Sequence, residues 1–299
     1  MTQPIETNVV VIGAGVVGLA VAVELSKSLE RVLVVERNRT FGLETSSRSS
    51  EVVHGGLYYE PGSNKATQCL EGAALIYERA NRLSIPLERR GKLVLATDPG
   101  QLDALERLFA NAITSGARNL ELWGQARIAR EEPRLEALAA IYSPWTGVID
   151  SHELMRSYSA EARAGNVDFA FKHELVGLEK ETDRWRCELN DPEGELVNVS
   201  SPLVVNSAGL ASDTVAALAG IDIDAAHYRI RPCKGDYFSL QGGTYRGISR
   251  LIYPLPDPHL QVLGMHLTIV VGGQGRLGPD ATYIEPPIRD DSYSVDESK

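Results

Sequence analysis

Residues 8–36 read NVVVIGAGVVGLAVAVELSKSLERVLVVE, and this stretch decides the fold that the sequence predicts. Asn8–Ile12 is a short, β-branched apolar run, as expected for a strand that is buried on both faces of a parallel sheet. Gly13, Gly15 and Gly18 follow at the point where this strand must turn into a helix. A second apolar run ends the stretch. The order strand, glycine turn, helix, strand indicates a doubly wound α/β fold.

The three glycines have separate physical roles in such a turn. Gly13 permits the tight turn, Gly15 lets a pyrophosphate approach the backbone, and Gly18 lets the helix pack closely on the strand. The first turn of the helix supplies unpaired N–H groups for the phosphates. Glu36 ends the second strand, 18 residues after Gly18, where its carboxylate can accept hydrogen bonds from a ribose. The full pattern predicts a dinucleotide site; a glycine-rich turn in another α/β protein is the alternative.

Composition and charge limit the classes of protein to which the chain can belong. Its 299 residues are enough for about two domains, and 43% hydrophobic and 23% charged residues are typical of a globular protein. The formal net charge of −10 argues against nucleic-acid binding, which usually needs a basic surface. Cys69, Cys187 and Cys233 are too widely spaced for a zinc site or a disulfide framework. We therefore expect no nucleic-acid partner and no metal.

The sequence indicates no targeting signal and no membrane span. The start, MTQPIETN, has neither a basic region nor an Arg-rich amphipathic segment. The uncharged run Val9–Val23 is shorter than the ~20 residues of a spanning helix, and it contains the glycines of the turn. We therefore predict a cytoplasmic protein, whose membrane contact would be peripheral, at the inner face of the plasma membrane.

The segments after residue 36 predict a second domain that is interleaved with the first. Leu102–Ser115 has the spacing of an amphipathic helix, Gly91–Thr97 reads as a strand, and the last third of the chain is rich in strands. A dinucleotide-binding domain and a smaller, mixed α+β substrate domain would account for this order. The predicted ranges are 1–85 and 143–215 for the dinucleotide-binding domain, and 86–142 and 216–299 for the substrate domain.

The glycine motif alone does not separate FAD from NAD, because both place a pyrophosphate on the first helix and a ribose on the acidic residue. Glu36 disfavours a 2′-phosphate and so argues against NADP. The long polar loop after Glu36 favours FAD, as do the interleaved domain and a second turn of small residues, Asn206 to Gly209, after an apolar strand.

The polar loop supplies several further candidates for cofactor contacts. It is rich in hydroxyl groups and follows the second strand, where a dinucleotide fold places its cofactor. A solvated loop would have the same composition and is the alternative. The candidates in the loop are Arg37, Thr45, Ser46, Ser47 and Arg48. The candidates elsewhere, beyond the glycine turn and Glu36, are Val176, Ala208 and Gly209.

Several segments together resemble a known family. They are VVIGAGVVGLAVAVEL, TSSRSSEVVHGGLYYEPGSNKA, GKLVLAT, GLASDTVAALAGID, RIRPCKGDYF and LIYPLPDPHL…GMHLT…RLGPD, and they extend over about residues 7–285. They resemble the L-2-hydroxyglutarate dehydrogenase/oxidase family, within the D-amino acid oxidase-like FAD oxidoreductases. The resemblance implies a Rossmann-type FAD-binding domain and oxidation of L-2-hydroxyglutarate to 2-oxoglutarate, with hydride passing from C2 to flavin N5. A quinone, an electron-transfer chain or oxygen would reoxidise the flavin.

The resemblance also implies which residues carry this reaction. The chemistry requires a base for the hydroxyl proton, cations for two carboxylates and exclusion of water. His54 and His266 are the candidates for the base, and the sequence does not decide between them. The candidates for carboxylate binding are Arg231, Lys234 and Arg276, and those for lining the pocket are Tyr58 and Tyr253. Ordinary surface charges and ordinary core packing are the alternative interpretations.

The resemblance leaves two other functions open. Family members continue beyond a segment such as 291–299, with a closing strand and helix that contact the flavin, so we expect a truncated chain. Oxidation of amino acids or amines by the same fold is one alternative, and a non-catalytic remnant of the flavin fold is the other. The cations Arg229, Arg231 and Lys234 favour a diacid as the substrate. An amine substrate would instead be expected to have a carboxylate of the protein near the flavin.

Overall fold

The computed structural model describes residues 4–241, 243, 245–256, 264–285 and 290–295. The chain forms two compact units, and each unit is assembled from two separate segments. The first unit consists of Met1–Ser49 and Ser151–Arg231, and the second of Ser50–Asp150 and Pro232–Lys299.

Strands and helices are numbered in chain order through both units. The described elements of the first unit are β1 (Ile5–Glu6), β2 (Val9–Ile12), α1 (Val16–Ser26), β3 (Val32–Glu36), a 3₁₀ turn (Thr45–Arg48), α5 (Ser151–Ala164), β10 (Val167–Phe171), β11 (Glu174–Lys180), β12 (Trp185–Asn190), β13 (Leu196–Ser201), β14 (Val204–Asn206) and α6 (Ser212–Leu218). Those of the second unit are β4 (Val52–Val53), α2 (Asn64–Leu83), β5 (Leu87–Glu88), β6 (Lys92–Ala96), α3 (Leu102–Thr114), β7 (Glu121–Gly124), α4 (Gln125–Glu131), β8 (Ala139–Ser143), β9 (Gly147–Ile149), β15 (Cys233–Ser239), β16 (Leu251–Pro254), β17 (His266–Ile269) and β18 (Gly275–Tyr283).

A parallel sheet with the strand order β10-β3-β2-β14 forms the centre of the first unit. Every residue of β2 is buried, because successive side chains enter different layers. Val9 and Val11 pack with α1 and α5, whereas Val10 and Ile12 pack on the opposite face. Burial of each such side chain contributes about 1.5–3 kcal/mol. The prediction of a strand buried on both faces is confirmed.

A mostly antiparallel sheet, in which β1 runs parallel to its neighbour β13, covers the other face of the parallel sheet. Its strand order is β1-β13-β12-β11, and β11, β12 and β13 pair as successive antiparallel neighbours. Cys187, Leu189 and Val199 of this sheet pack against Val10 and Ile12. The first unit therefore has three layers: helices, parallel sheet and mostly antiparallel sheet. This is the α/β architecture that the sequence predicts.

A seven-stranded mixed sheet forms the second unit, in the order β15-β18-β17-β16-β6-β8-β7. β6 and β16 run parallel, and the other neighbouring strands are antiparallel. Leu105 of α3 packs with Val94 on one face, and Ile128 of α4 packs with Leu93 and Leu95 on the other. Alternate residues of β6 thus point into two separate cores.

The long helix α2 has the caps of a surface helix. Its N-cap is Ser63, whose hydroxyl accepts the N–H of Ala66 at 3.2 Å, and its C-cap is Ser84, in the left-handed conformation (φ 54°). Charged side chains such as Lys65 and Glu71 lie on its exposed surface. Within the described ranges, no helix combines the length and the apolar character that crossing a membrane requires.

The two units divide at positions that differ from the predicted domain boundaries. The units end after residues 49, 150 and 231, whereas the predicted boundaries follow residues 85, 142 and 215. Two pairings explain the difference: β4 pairs with β9 inside the second unit, and the N–H of Ile230 donates to Asp213 of α6 (3.0 Å) inside the first. The second unit, expected to be smaller, contains the larger share of the residues.

Candidate active site

The glycine turn after β2 requires glycine at two positions for different steric reasons. Gly13 has φ +98°, and a Cβ atom there would lie 2.5 Å from the carbonyl oxygen of Ser207. A Cβ atom on Gly18 would lie 1.9 Å from the carbonyl oxygen of Gly13. The first glycine thus lets the turn meet the turn after β14, and the second lets α1 pack directly on the first turn.

The start of α1 offers backbone N–H groups beside the 3₁₀ turn. Gly15 is the N-cap of the helix and provides no side-chain cap. The hydroxyl of Ser46 accepts the N–H of Val16 at 3.0 Å, and a Cβ atom on Gly15 would lie 3.1 Å from the same hydroxyl oxygen. Helix N–H groups and a serine hydroxyl therefore converge at the place where a pyrophosphate would bind.

Glu36 is held at the turn by its own hydrogen bonds. It is 9% exposed, and its carboxylate accepts the N–H of Ala14 at 2.9 Å and the N–H of Asn38 at 2.8 Å. A carboxylate has about four acceptor sites, so about two stay available for ribose hydroxyl groups. The donors at α1 and the acceptors of Glu36 together fit a dinucleotide such as FAD.

The structure brings some of the other predicted cofactor residues to this turn. Ala208 lies against Gly13: its Cα is 3.2 Å from the position of a Cβ on that glycine, and Gly209 follows with φ +57°. Ser47 and Arg48 lie in the 3₁₀ turn, where both donate to the carbonyl oxygen of Glu44. The remaining three are Thr45, which begins the 3₁₀ turn, Arg37, which is exposed and paired with Glu44 at 3.2 Å, and Val176, which lies on β11 and is 37% exposed. The role of each of these residues in binding a cofactor stays a prediction from the sequence.

A second group of functional side chains lies on one face of the large sheet in the second unit. Strand register places Lys92 of β6, Tyr253 of β16 and His266 of β17 on this face. The rings of Tyr253 and His266 stack with centroids 3.8 Å apart. The Nζ atom of Lys92 lies 4.5 Å from the ring centroid of Tyr253 and 4.5 Å from that of Tyr58. We call Tyr58, Lys92, Tyr253 and His266 the sheet-face cluster.

His266 has a fixed orientation and an unused ring nitrogen. Its Nδ1 atom is 2.9 Å from the carbonyl oxygen of Gly264, and a carbonyl only accepts, so Nδ1 carries the proton. His266 is 4% exposed, and Nε2 has no hydrogen-bond partner within the described residues. Burial lowers the pKa of His266, and the charge of Lys92 lowers it further. The ring is therefore neutral at physiological pH, with a free lone pair on Nε2.

Lys92 is a functional candidate that the sequence analysis missed. Its side chain is 0% exposed, and Nζ has no hydrogen-bond partner in the part of the chain that the structure describes. Burial lowers the pKa of this ammonium to about 7. The sequence carried a usable signal: the continuous apolar run after Lys92 is typical of a strand buried on both faces, and such a strand buries its lysine as well.

His54 lies in a segment that two glycines allow to pack tightly. A Cβ atom on Gly55 would lie 2.6 Å from the hydroxyl oxygen of Ser143, and Gly56 has φ +79°. Burial, and after it the charges of Lys92 and His266, lower the pKa of His54 to about 3. Burial also raises the pKa of Tyr58. His54 is thus neutral and a weak base.

The predicted carboxylate-binding cations have partners of their own or are exposed. Arg276 lies 3.5 Å from Glu51, and Lys234 lies 3.5 Å from Asp236 and donates to the carbonyl oxygen of Ser294 at 2.6 Å. Arg231 is exposed and belongs to the first unit. Arg229, which favoured the diacid, donates to Asp224 instead (2.6 Å). Their role in binding a substrate stays a prediction.

A family model described as FAD dependent oxidoreductase matches residues 8–298. The chain belongs to this family. The fit of the glycine turn and Glu36 to a dinucleotide agrees with that membership, and so does the three-layered first unit.

Within the FAD dependent oxidoreductases, several curated relatives are named L-2-hydroxyglutarate dehydrogenase, mitochondrial. Identity is 35% to the protein of Arabidopsis thaliana, 34% to that of Caenorhabditis elegans and 32% to that of Homo sapiens. The matches cover 92–93% of this chain but 60–63% of those relatives. The resemblance drawn from the sequence is confirmed, and the chain spans about three fifths of the length of these relatives.

Solved structures of the same fold include enzymes with several different substrates. An L-α-glycerophosphate oxidase from Mycoplasma pneumoniae with FAD bound has a TM-score of 0.84 at 20% identity, covering 96% of this chain and 75% of that one. L-proline dehydrogenase from P. horikoshii has a TM-score of 0.78 at 22% identity, covering 96% of this chain and 73% of that one. At these identities the likeness establishes the fold and leaves the substrate open.

Proposed function

We propose that this chain binds FAD through its first unit and oxidises the 2-hydroxyl group of L-2-hydroxyglutarate to 2-oxoglutarate. Membership of an FAD-dependent family and relatives named for this substrate support the proposal. The observation that carries it is His266: a buried, neutral imidazole with one nitrogen anchored and the other free. Oxidation of an alcohol requires a group of this kind to accept the hydroxyl proton.

His266 acts as the base in the proposed reaction. The 2-hydroxyl group donates to Nε2, and the proton passes to this nitrogen while the C2–H bond breaks. When bound, FAD supplies the acceptor for the hydride that leaves C2. The carbonyl oxygen of Gly264 keeps Nδ1 protonated throughout, so Nε2 always presents its lone pair to the substrate. The product retains the C2–O bond as a carbonyl.

His54 and Arg276 have supporting roles in this proposal. A histidine whose pKa is about 3 holds a proton poorly, so His54 serves as a hydrogen-bond acceptor and not as the base. Arg276 lies opposite Thr268 in the sheet, on the same face as His266. Its charge is shared with Glu51, and it is the best placed of the predicted cations of the second unit to bind the distal carboxylate.

The test of the proposed function is a visible spectrum of the purified, FAD-loaded protein before and after anaerobic addition of L-2-hydroxyglutarate. We expect the flavin band to bleach with this compound and to persist with D-2-hydroxyglutarate and with amino acids. Bleaching by an amino acid and not by L-2-hydroxyglutarate would refute the proposal and support oxidation of amino acids or amines. A protein that binds no FAD at all would support the non-catalytic remnant.

The electron acceptor and the cellular location are further parts of the proposal that rest on the sequence. We expect reoxidation by a quinone or an electron-transfer chain, or by oxygen, and a cytoplasmic location with peripheral membrane contact. The rate at which the reduced flavin is reoxidised by oxygen, compared with a soluble quinone, decides between the acceptors.

A substitution at Glu36 tests the assignment of FAD to the first unit. The carboxylate of Glu36 accepts hydrogen bonds from the N–H groups of Ala14 and Asn38, and it would also accept them from the ribose hydroxyls. Glu36→Gln removes the negative charge of this acceptor. Because a hydrogen bond to a charged group contributes about 1.5–3 kcal/mol, the Kd for FAD should rise by about 10-fold or more. Fluorescence titration of the FAD-free protein measures it. Glu24→Gln, on an exposed residue paired with Lys27, is the control and should leave the Kd unchanged.

A further inference from the structure

Lys92 is a buried lysine to which the proposed reaction assigns no role. An ammonium that is 0% exposed and has no hydrogen-bond partner within the described residues is expensive to bury, by several kcal/mol. A methionine or leucine would fill the same volume without this penalty. Such a charge in a cluster with other unsatisfied polar atoms indicates an anionic ligand that completes the hydrogen bonding.

Burial disfavours the charged form of Lys92, and no ion pair among the described residues offsets this effect. Its Nζ atom lies 4.5 Å from the ring centroids of both Tyr58 and Tyr253, which is the geometry of cation–π contacts. Three titratable groups interact electrostatically with Lys92, namely His54, Cys69 and His266. All three are neutral near pH 7. The ammonium thus has aromatic faces as neighbours and keeps all three of its N–H groups for a ligand.

The unsatisfied polar atoms of the sheet-face cluster complement one kind of molecule. Lys92 Nζ is a cationic donor, the hydroxyl of Tyr58 is a neutral donor, and His266 Nε2 is an acceptor; none has a partner among the residues described. An anion that also carries a hydroxyl group satisfies donors and acceptor together. Lys92 Nζ and the His266 ring centroid lie 4.5 Å and 3.8 Å from the centroid of the Tyr253 ring, so they are close enough for one small molecule to contact both.

We infer that Lys92 is the group that binds the carboxylate adjacent to the reacting carbon, so that the enzyme selects 2-hydroxy acids over simple alcohols. This inference rests on the proposed function, in which His266 receives the proton of the neighbouring hydroxyl. It assigns the two carboxylates of the substrate to different cations: the one beside C2 to Lys92, and the distal one to another site.

Lys92→Met is the variant that tests the inference, because methionine keeps the length and removes the charge. We expect the FAD-loaded variant to bind 2-oxoglutarate about 10- to 100-fold more weakly than the wild type, which is what one charge-assisted hydrogen bond contributes. The perturbation of the flavin spectrum on titration measures it. Lys65→Met is the control: Lys65 is exposed and also lies over a tyrosine ring, that of Tyr59, at 5.3 Å.

A comparison of two substrates identifies which carboxylate Lys92 binds. L-2-hydroxypentanoate keeps the carboxylate beside C2 and lacks the distal one. Lys92→Met should raise KM by the same factor for L-2-hydroxyglutarate and L-2-hydroxypentanoate, with a smaller effect on kcat. An increase confined to the diacid would overturn the inference, since Lys92 would then bind the distal carboxylate.

Two pH-dependent measurements distinguish a binding role from a structural one. Lys92 has a pKa of about 7 in the folded protein and 10.5 as a free side chain, so between these values the unfolded chain binds more protons. Stability therefore falls as pH decreases towards 7, and Lys92→Met should raise Tm at pH 6 and lose this advantage towards pH 10. In the wild type, kcat/KM for a hydroxy acid should decline above about pH 7, and the variant should lack this decline.

The outcomes separate the inference from the proposed function. Equal binding of 2-oxoglutarate by Lys92→Met and wild type overturns the inference even where the wild type oxidises L-2-hydroxyglutarate. Absence of 2-oxoglutarate binding to the wild type overturns it as well. A wild type that binds 2-oxoglutarate through Lys92 but is not reduced by any hydroxy acid supports the inference and refutes the proposed function alone.

Discussion

His266→Asn should reduce the rate of flavin reduction by L-2-hydroxyglutarate by about 10²- to 10⁴-fold, the range that loss of a general base produces. Asparagine is chosen because its amide N–H can still donate to the carbonyl oxygen of Gly264, as Nδ1 does at 2.9 Å. The substitution removes the free Nε2 lone pair together with the ring that stacks on Tyr253. Anaerobic stopped-flow spectroscopy of the FAD-loaded variant measures the rate.

His54→Asn is the matched comparison and should slow reduction by about 10-fold at most, because a histidine with a pKa of about 3 is a poor proton acceptor. The reverse order of effects would assign the base to His54. The pH profile adds a second check. Since burial lowers the pKa of His266, the wild-type rate should fall only at pH values below that of an ordinary histidine.

Gly18→Ala should destabilise the protein by about 3 kcal/mol and abolish FAD retention. The new Cβ would lie 1.9 Å from the carbonyl oxygen of Gly13 and 3.1 Å from its carbonyl carbon. Because these are backbone atoms of the turn, no side-chain rotation relieves the overlap, and α1 must move away from β2. That displacement also removes the N–H groups that would bind the pyrophosphate. Urea unfolding and the flavin content of the purified protein are the measurements.

Gly72→Ala is the control for this substitution. Gly72 lies within α2, and among the described residues no heavy atom outside its chain neighbours and the backbone of its own helix lies within 4 Å of the position of its Cβ. Alanine in a helix is favoured over glycine by about 0.5–1 kcal/mol, so this variant should be slightly more stable than the wild type. A Gly18→Ala protein with unchanged stability and normal FAD content would refute the packing role of Gly18.

The nucleotide-binding half was the part of the fold that the sequence predicted best, because its signals are local. The β-branched run of β2, the glycine turn and Glu36 all lie within 29 residues, and each has a steric or hydrogen-bonding reason that one short segment contains. The contact between Gly13 and Ser207 was anticipated only as a second turn of small residues. Its proximity to the first turn depends on β14 pairing with β2.

The second unit was harder to predict because its site is built from distant strands. Lys92 reads as one polar residue at the start of an apolar strand, and only the register between β6 and β16 places it beside Tyr253. The predicted boundaries after residues 85 and 142 missed the observed ones near residues 50 and 150 for the same reason. Strands β4 and β9 are two to three residues long and pair across almost a hundred residues. Composition and periodicity carry no information on such pairings.

The pairing of β14 with β2 has a consequence for synthesis of the protein on the ribosome. Ser207, which packs on Gly13, follows it by 194 residues. At about 5–20 residues per second, the ribosome needs roughly 10–40 s to make that interval. The glycine motif thus leaves the ribosome well before Ser207, and strand β2 waits for its partner β14 over that interval. During that interval the edge of β2 that β14 will cover is open.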